Sequence, residues 1–482
     1  MNIGGLIAGH AASQPDKTAI EGRDGAITYL ALDRTVGAIA THLAGSGIVA
    51  GDLVGVRMGD SPLHLAVLVA VIRLGAIILP IDWRAAAPEV EKALSLFRPR
   101  LLISDRSEGS VVGIPLVLAA EAAQPTDSRA PIAELTNAPM AFSLTSGTTG
   151  RPKVFRLTHE AYHARVMQFR DSGLILPSDR VLGPVPLAYS AGREMALGLL
   201  LQGATFVMLP PISGAAEIVQ AANDKSASVV LVSPNTTRAL LEIAGAGDER
   251  LIPRLRLYIN ATAKADPEER QRVRERVAPA VADMYGTTGA GLISIVRDEP
   301  EGASRTSVGR PGPGITVEIV DEDLRPVATG VIGRIRVNGP GVITDASSDE
   351  PPGDEGAYRG WYYPGDIGSV DADGYLHLRD RTADLIKRGG VMIYAQEVEQ
   401  ALRGHPAVVD VAVVGVPSTI TGQEVAAFIV ARAPLDPHEL RAFARQRLGG
   451  NKVPAYFRLI DELPRNANGK VLKAELVKGW SP

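Results

Sequence analysis

Short apolar runs recur through the first 300 positions, at 53–57, 76–80, 101–104, 204–209 and 228–232. Between them stand stretches such as 30–44 and 268–277, where apolar residues return every three or four positions. Runs of four to eight apolar residues predict buried strands and the longer period predicts helices laid over them, so the alternation implies βα units around largely parallel sheets. From about Gly309 the texture changes to runs at 316–320, 333–337 and 375–378 split by Gly and Pro, which predict a small antiparallel sheet or barrel. After Arg381 come strand-like runs at 408–416 and 425–431, then a helix near 437–448 with Leu440, Phe443, Ala444 and Leu448 on one face. The segment 344–355, rich in Ser, Asp, Glu, Pro and Gly, reads as a surface loop.

The fold class is therefore α/β: a large N-terminal domain at 1–380, made of parallel-sheet βα subdomains plus a small β-barrel at about 309–380, then a small α+β C-terminal domain at 381–482. A chain of 482 residues suggests about three structural units at roughly 150 residues each. Its 50 Lys and Arg face 54 Asp and Glu, a net charge of −4 that offers no handle for nucleic acid or an anionic membrane. The absence of Cys excludes disulfides, thiolate metal sites and a cysteine nucleophile, and fits a reducing compartment. The first twenty residues carry no basic region before an apolar core, and the longest apolar stretch, 65–81, is interrupted by Arg73. Neither a signal peptide nor a membrane span is indicated, and a cytoplasmic protein is expected.

Candidate chemistry starts at 143–153, Ser-Leu-Thr-Ser-Gly-Thr-Thr-Gly-Arg-Pro-Lys, where five hydroxyls, two glycines and a lysine follow an apolar run. Glycine lets the backbone approach an anion while hydroxyls, N–H groups and an ammonium solvate its oxygens, so the segment reads as a phosphate cradle. It is no P-loop, because Pro152 and Val154 take the places of the second glycine and of the hydroxyl that ligates magnesium. A rival is His159-Glu160-Ala-Tyr-His163, two imidazoles at i, i+4 with a carboxylate between them, the pattern of a zinc metalloprotease. It lacks an evident third ligand, since the next His is His377.

Ordered landmarks run beyond that loop: Thr28-Tyr29, Gly51-Asp52, Gly75-Ala76, Tyr285-Gly-Thr-Thr288, the Ser-Val-Gly-Arg-Pro-Gly-Pro-Gly of 307–314, the Gly-Trp-Tyr-Tyr-Pro-Gly-Asp of 360–366, Arg381, the Asp-Leu-Ile-Lys-Arg-Gly-Gly of 384–390 and the Pro-Arg-Asn-Ala-Asn-Gly-Lys of 464–470. Together they resemble the adenylate-forming superfamily of acyl-CoA synthetases, aryl-CoA ligases, peptide-synthetase adenylation domains and luciferases. The resemblance implies two half-reactions. A carboxylate attacks the α-phosphorus of ATP to give acyl-adenylate and pyrophosphate, then a thiol takes the acyl group.

By that resemblance Thr145, Ser146, Gly147, Thr148, Thr149, Gly150 and Lys153 hold the β and γ phosphates, and Thr288 donates to the α-phosphate. Tyr285, with Gly286 and Thr287, lies against adenine, and Asp283 meets its amino group. Asp366 accepts from both ribose hydroxyls and Arg381 touches ribose or phosphate near a hinge. Lys470 contacts the attacking carboxylate and the α-phosphate, delivered by a C-terminal domain that opens and closes. Lys387, Gly389 and Gly390 meet the site when that domain rotates for thioester formation. The acid pocket falls to Tyr189, Ser190, Gly192, Arg193, Ala261, Thr262, Ala263 and Gly289, with Arg193 either pairing a second carboxylate or facing water.

Implied cofactors are ATP, Mg²⁺ and CoA; implied partners are a small-molecule carboxylic acid and CoA, or a separate acyl-carrier protein whose phosphopantetheine takes the acyl group. A homodimer is compatible with the pattern. The chain departs from it at Gly289, where a Glu usually helps hold Mg²⁺, at Tyr189, often His, at Ala383, often Asp or Lys, and at Val154 and Arg334, commonly Gly and Glu. Those departures motivate a further alternative, a degenerate homologue that binds nucleotide without catalysis.

Overall fold

The structure, a computed structural model, describes residues 2–23, 25–107, 113–126, 130–135, 137–145, 153–184, 186–210, 213–245, 249–261, 266–297, 302–345, 352–432, 434–465 and 471–480, with backbone alone at 143–145, 153, 234–235 and 303. It divides into two compact units. The first comprises Met1–Gly147, Arg151–Val317 and Val337–Asp345, and the second Thr148–Gly150, Glu318–Arg336 and Ala346–Pro482. Half of the predicted surface loop at 344–355, residues 346–351, lies outside the described residues.

The first unit holds two sheets. In the nine-stranded one, Val281–Thr287, Leu257–Asn260, Val229–Val232, Arg180–Gly183, Thr205–Met208 and Thr18–Gly22 run parallel in that order. Gly291–Val296 and Arg310–Pro311 extend one edge antiparallel, and Gly25–Thr28 closes the other. The four-residue strands Leu257–Asn260, Val229–Val232 and Thr205–Met208 are buried at every position, as strands covered on both faces must be. The six-stranded sheet orders Leu116–Leu118, Leu101–Ser104, Leu53–Arg57, Ile77–Pro80, Pro139–Thr145 and Lys153–Thr158. Its last pair is antiparallel, with Thr145 opposite Lys153.

Helix Pro62–Arg73 is buried at every position from His64 to Arg73, which is why its sequence is apolar all round. Ser61 caps it, accepting from the His64 N–H at 3.2 Å, and Gly75, at φ +72°, turns the chain into Ile77–Pro80. Arg73, which interrupts the apolar stretch, ends that helix with its guanidinium 2.6 Å from the buried carboxylate of Asp33. An unpaired charge there would cost several kcal/mol, so the pair is what makes an arginine tolerable in this core.

The second unit carries a six-stranded sheet that includes Glu355–Tyr358, Trp361–Pro364, Asp366–Val370 and Leu376–Arg381. It also carries a five-stranded sheet in which Val408–Ser418 and Gly422–Ala431 form a long antiparallel hairpin. Helices Ala395–Arg403 and Pro437–Arg445 cover one face through Val398, Leu402, Leu440 and Ala444. Leu476 of the last helix, Lys473–Lys478, packs on the other face with Val414 and Phe428. Among the described residues no helix is long and apolar enough to cross a membrane.

Candidate active site

Ligands of open parallel sheets gather beyond the carboxyl ends of the strands. In the nine-stranded sheet those ends lead to Tyr189 and Ser190, to Ala261, and to Thr288 and Gly289. In the six-stranded sheet they lead to Asp60, Asp82 and Asp105. The segment 146–152 links the paired strands Pro139–Thr145 and Lys153–Thr158. A P-loop would run from a strand into a helix, so this hairpin is a different kind of loop. Ser146, Gly147, Thr148, Thr149, Gly150, Thr262, Ala263 and Lys470 lie outside the described residues, and only the backbone of Thr145 and Lys153 is described.

Asp283 and Tyr285 alternate along Val281–Thr287. The Asp283 carboxylate is buried and takes Arg270 Nη1 at 2.8 Å on one oxygen and Asn260 Nδ2 at 2.9 Å on the other. Thr237 donates to Asn260 Oδ1 at 2.6 Å, and Tyr258 donates to Thr237 at 3.0 Å, so the acid is set by a connected buried network. The strand bulges between Tyr285 and Gly286. A Cβ on Gly286 would come within 2.2 Å of the Gly291 carbonyl oxygen, so glycine is required by that close approach.

Beyond the strand, Arg165 gathers the turn. Its guanidinium donates to the Thr288 carbonyl at 3.1 Å, the Gly289 carbonyl at 3.0 Å, the Gly341 carbonyl at 2.8 Å and Glu194 at 2.7 Å. Ser190 also donates to Glu194, and the Tyr162 hydroxyl donates to the Glu194 carbonyl at 2.5 Å. Gly289 is buried, and its carbonyl also accepts from the Ile343 N–H at 2.9 Å. At Gly289, where the resemblance leads to the expectation of a Glu, the Arg165 guanidinium grips the backbone.

The residues expected at an acid pocket form a second group. Tyr189 donates to Asp82 at 2.9 Å, and Arg84 clasps the same carboxylate at 3.0 and 2.9 Å. Burial, then the Asp82 hydrogen bond, pushes the Tyr189 phenol up to about 12, so it stays a neutral donor near pH 7. Burial opposes charge on Asp82, but its Arg84 and Tyr189 hydrogen bonds outweigh it and hold the carboxyl below the usual range. Burial raises the neighbouring Asp60, which accepts from the Leu187 N–H at 2.7 Å. Arg193 does not face water: it is 1% exposed and donates to the carbonyls of Leu187, Ala188 and Phe142 at 3.2 to 3.4 Å. Gly192 is buried beside it and Ala261 is half-buried.

In the second unit Asp366, 6% exposed, starts its strand opposite Arg381, whose Nε donates to Asp366 Oδ1 at 3.1 Å. Arg381 thus orients the acid assigned to the ribose. Lys387 is exposed, and Gly389 and Gly390 take the left-handed φ values of +53° and +82° that their turn requires. Arg334 donates to the Pro352 carbonyl at 2.5 Å and stacks over Tyr363, a structural role.

The zinc pattern resolves differently. Helix His159–Asp171 does carry both imidazoles, but His159 is fully buried with Nδ1 accepting from the Ile3 N–H at 3.3 Å. Among the described residues no three His, Asp or Glu side chains gather into a metal site. Sequence reasoning missed Arg165, Glu194, Asp82, Arg84 and Arg270; Arg165 pairs Glu194 across 29 positions and Asp82 meets Tyr189 across 107, whereas Arg84 pairs Asp82 two positions away. Only the placement of Asp82 just after a parallel strand could have singled one out.

The family model described as AMP-binding enzyme matches residues 7–344, and the AMP-binding enzyme C-terminal domain matches 397–470. A feruloyl-CoA synthase from an Amycolatopsis species is 30% identical over 484 residues, covering 98% of each chain. A fatty acid–[acyl-carrier-protein] ligase, ScoC from Streptomyces coeruleorubidus, is 29% identical, covering 97% of this chain and 94% of its own. The solved structure of ATP-bound MatB from Rhodopseudomonas palustris superposes with a TM-score of 0.88 at 25% identity, covering 99% of each chain. With those matches spanning its length, this chain belongs to the AMP-binding enzyme family and is an acyl-CoA synthetase-like, acid–thiol ligase.

Proposed function

We propose that the protein activates a small carboxylic acid with ATP as the acyl-adenylate and then passes the acyl group to the thiol of CoA. The observation that carries this reading is the Asp366–Arg381 pair, a buried two-oxygen acceptor held by a guanidinium, which suits the two ribose hydroxyls of the nucleotide. The network that fixes Asp283 beside Tyr285 supports an adenine site on Val281–Thr287. Arg165 holds the backbone from which Thr288 would donate to the α-phosphate. In the first half-reaction a carboxylate oxygen bonds to the α-phosphorus as pyrophosphate leaves, and the charge gathering there calls for the hydroxyls and ammonium of 145–153 and for Lys470. In the second, the thiol sulfur bonds to the acyl carbon and AMP departs.

A protein-held Mg²⁺ does not fit position 289, which offers no side chain and whose carbonyl is taken by Arg165 and Ile343. Mg²⁺ keeps waters and binds substrate phosphates, so it would enter with ATP.

One observation favours a carrier protein as acceptor. Val391 and Met392, 39% and 45% exposed, open strand Val391–Ile393, and Ile420, 92% exposed, lies in the turn that the Gly389 N–H joins through the Thr421 carbonyl. Exposed apolar side chains grouped at one end of a sheet suit a protein surface better than a nucleotide. The test is carboxylate-dependent exchange of labelled pyrophosphate into ATP across a panel of acids, followed by acyl transfer to CoA or to a phosphopantetheinylated carrier. Exchange with no acid, while ATP still binds, would leave the degenerate-homologue reading.

A further inference from the structure

The last helix and the hinge share a cluster of one ammonium and three carboxylates, in which Glu399 and Asp380 are buried and Lys473 and Asp384 half-buried. Lys473 opens helix Lys473–Lys478, and its Nζ lies 2.8 Å from Glu399 and 3.4 Å from Asp384. Glu399 belongs to helix Ala395–Arg403, accepts from the Val413 N–H at 2.9 Å and pairs Arg403 at 3.2 Å, so it is fixed to the C-terminal body. Asp384 ends the short turn Thr382–Asp384 that follows Arg381. The third carboxylate, Asp380, stands on the far side of that turn, in strand Leu376–Arg381.

Asp380 is 2% exposed and accepts from the Arg381 N–H at 2.8 Å and from the Gln396 N–H at 3.4 Å. Gln396 sits in the helix that carries Glu399, so the Asp380 carboxylate bridges the hinge. Glu399 and Asp384 would travel with Lys473 in any rotation about 382–384, whereas Asp380 would be left behind. We propose that Lys473 is a positioning residue of the ligase reaction, whose ammonium neutralises the carboxylates on both sides of the hinge and so holds the C-terminal segment docked on Asp380. This rests on the two-half-reaction reading above, in which the segment must take two settings.

The charge balance supports it. Burial pushes Asp380 up to about 6; Lys473 pulls it back, and Asp384 adds to the rise. Burial works to lower Lys473, yet Glu399, Asp384 and Asp380 together raise it, so the ammonium stays charged. Three carboxylates against one ammonium leave docking sensitive to either partner. Docking is easiest when Asp380 is protonated, and it weakens as pH rises through about 6.

The experiment measures the two half-reactions separately, pyrophosphate exchange for adenylation and thiolysis of supplied acyl-adenylate, in the intact enzyme. Lys473→Met should undock the segment and change the ratio of the two rates by about tenfold, and Lys473→Arg should restore most of it. Asp380→Asn removes a charge that docking must bury, so it should move the ratio in the opposite direction and flatten its pH dependence around 6. Should Lys473→Met fail to fold, Lys473→Gln takes its place as the reference for that sign, and the flattening in Asp380→Asn is read beside it. Equal loss of both rates in either variant, or shifts of the same sign, would overturn the proposal. Lys470→Ala run alongside separates the two ideas: if it spares adenylation the two-setting reading itself fails, and if it selectively removes adenylation while the Lys473 variant leaves the ratio unchanged, only the hinge inference fails.

Discussion

Replacing Arg165 by Met keeps much of the volume and removes the guanidinium's hydrogen bonds to the Thr288–Gly289 turn. The guanidinium, 4% exposed, serves Glu194 and three backbone carbonyls at 2.7 to 3.1 Å. Breaking a buried ion pair from one side costs about 3–5 kcal/mol, and each stranded carbonyl adds up to ~1–3 kcal/mol where nothing else reaches it. The Gly289 carbonyl keeps its Ile343 N–H and Glu194 keeps the Ser190 hydroxyl, so the ion pair dominates and the expected loss is about 4 kcal/mol. That is a large share of the ~5–15 kcal/mol that holds a domain. Trp83 is the sole tryptophan of the first unit, so urea unfolding in a Trp361→Phe, Trp480→Phe background reports on that unit by fluorescence. Adding Glu194→Gln removes the stranded charge and should recover roughly 1–2 kcal/mol. A double variant as unstable as the single one, or a single-variant loss below about 1 kcal/mol, would show that the pair does not organise this turn.

Gly286→Ala should cost more than about 1 kcal/mol and weaken ATP binding by equilibrium dialysis, since the added Cβ would meet the Gly291 carbonyl at 2.2 Å; unchanged stability would mean that the bulge relaxes freely. Lys470→Ala should abolish pyrophosphate exchange and leave thiolysis of supplied acyl-adenylate largely intact, and equal loss in both would count against delivery of that lysine in one setting only. Gly289→Glu tests the missing metal ligand. The account predicts a lower Mg²⁺ concentration for half-maximal exchange, and an identical Mg²⁺ dependence would show that another group already serves.

Much of the scaffold is legible because burial on both faces leaves unbroken apolar runs. Leu53–Arg57 and Leu101–Ser104 are examples, read from sequence at the bounds the structure gives them. The stretch 65–81 is less transparent, since a helix buried on every side shows no polar stripe to separate it from strand Ile77–Pro80, and only Gly75 marks the break. In the first unit Tyr189, Ser190, Ala261, Thr288 and Gly289 fall where parallel strands end. What the sequence hides is their support: Arg165 reaches Glu194 across 29 positions and Arg73 reaches Asp33 across 40. A single chain carries no local pattern for partners that only the sheets bring together. Arg193 reads as a pocket charge, and in the structure it is buried and reaches two carbonyls five and six positions back and a third, that of Phe142, 51 positions away.

The most direct measurement of acyl-adenylate chemistry follows oxygen. With the acid selected by the exchange screen labelled in its carboxylate with ¹⁸O, AMP recovered after a full turnover with CoA should carry one ¹⁸O atom. The carboxylate oxygen that bonds to the α-phosphorus stays there when the thiol breaks the acyl carbon–oxygen bond. Unlabelled AMP, or label appearing in inorganic phosphate alongside ADP, would contradict the account.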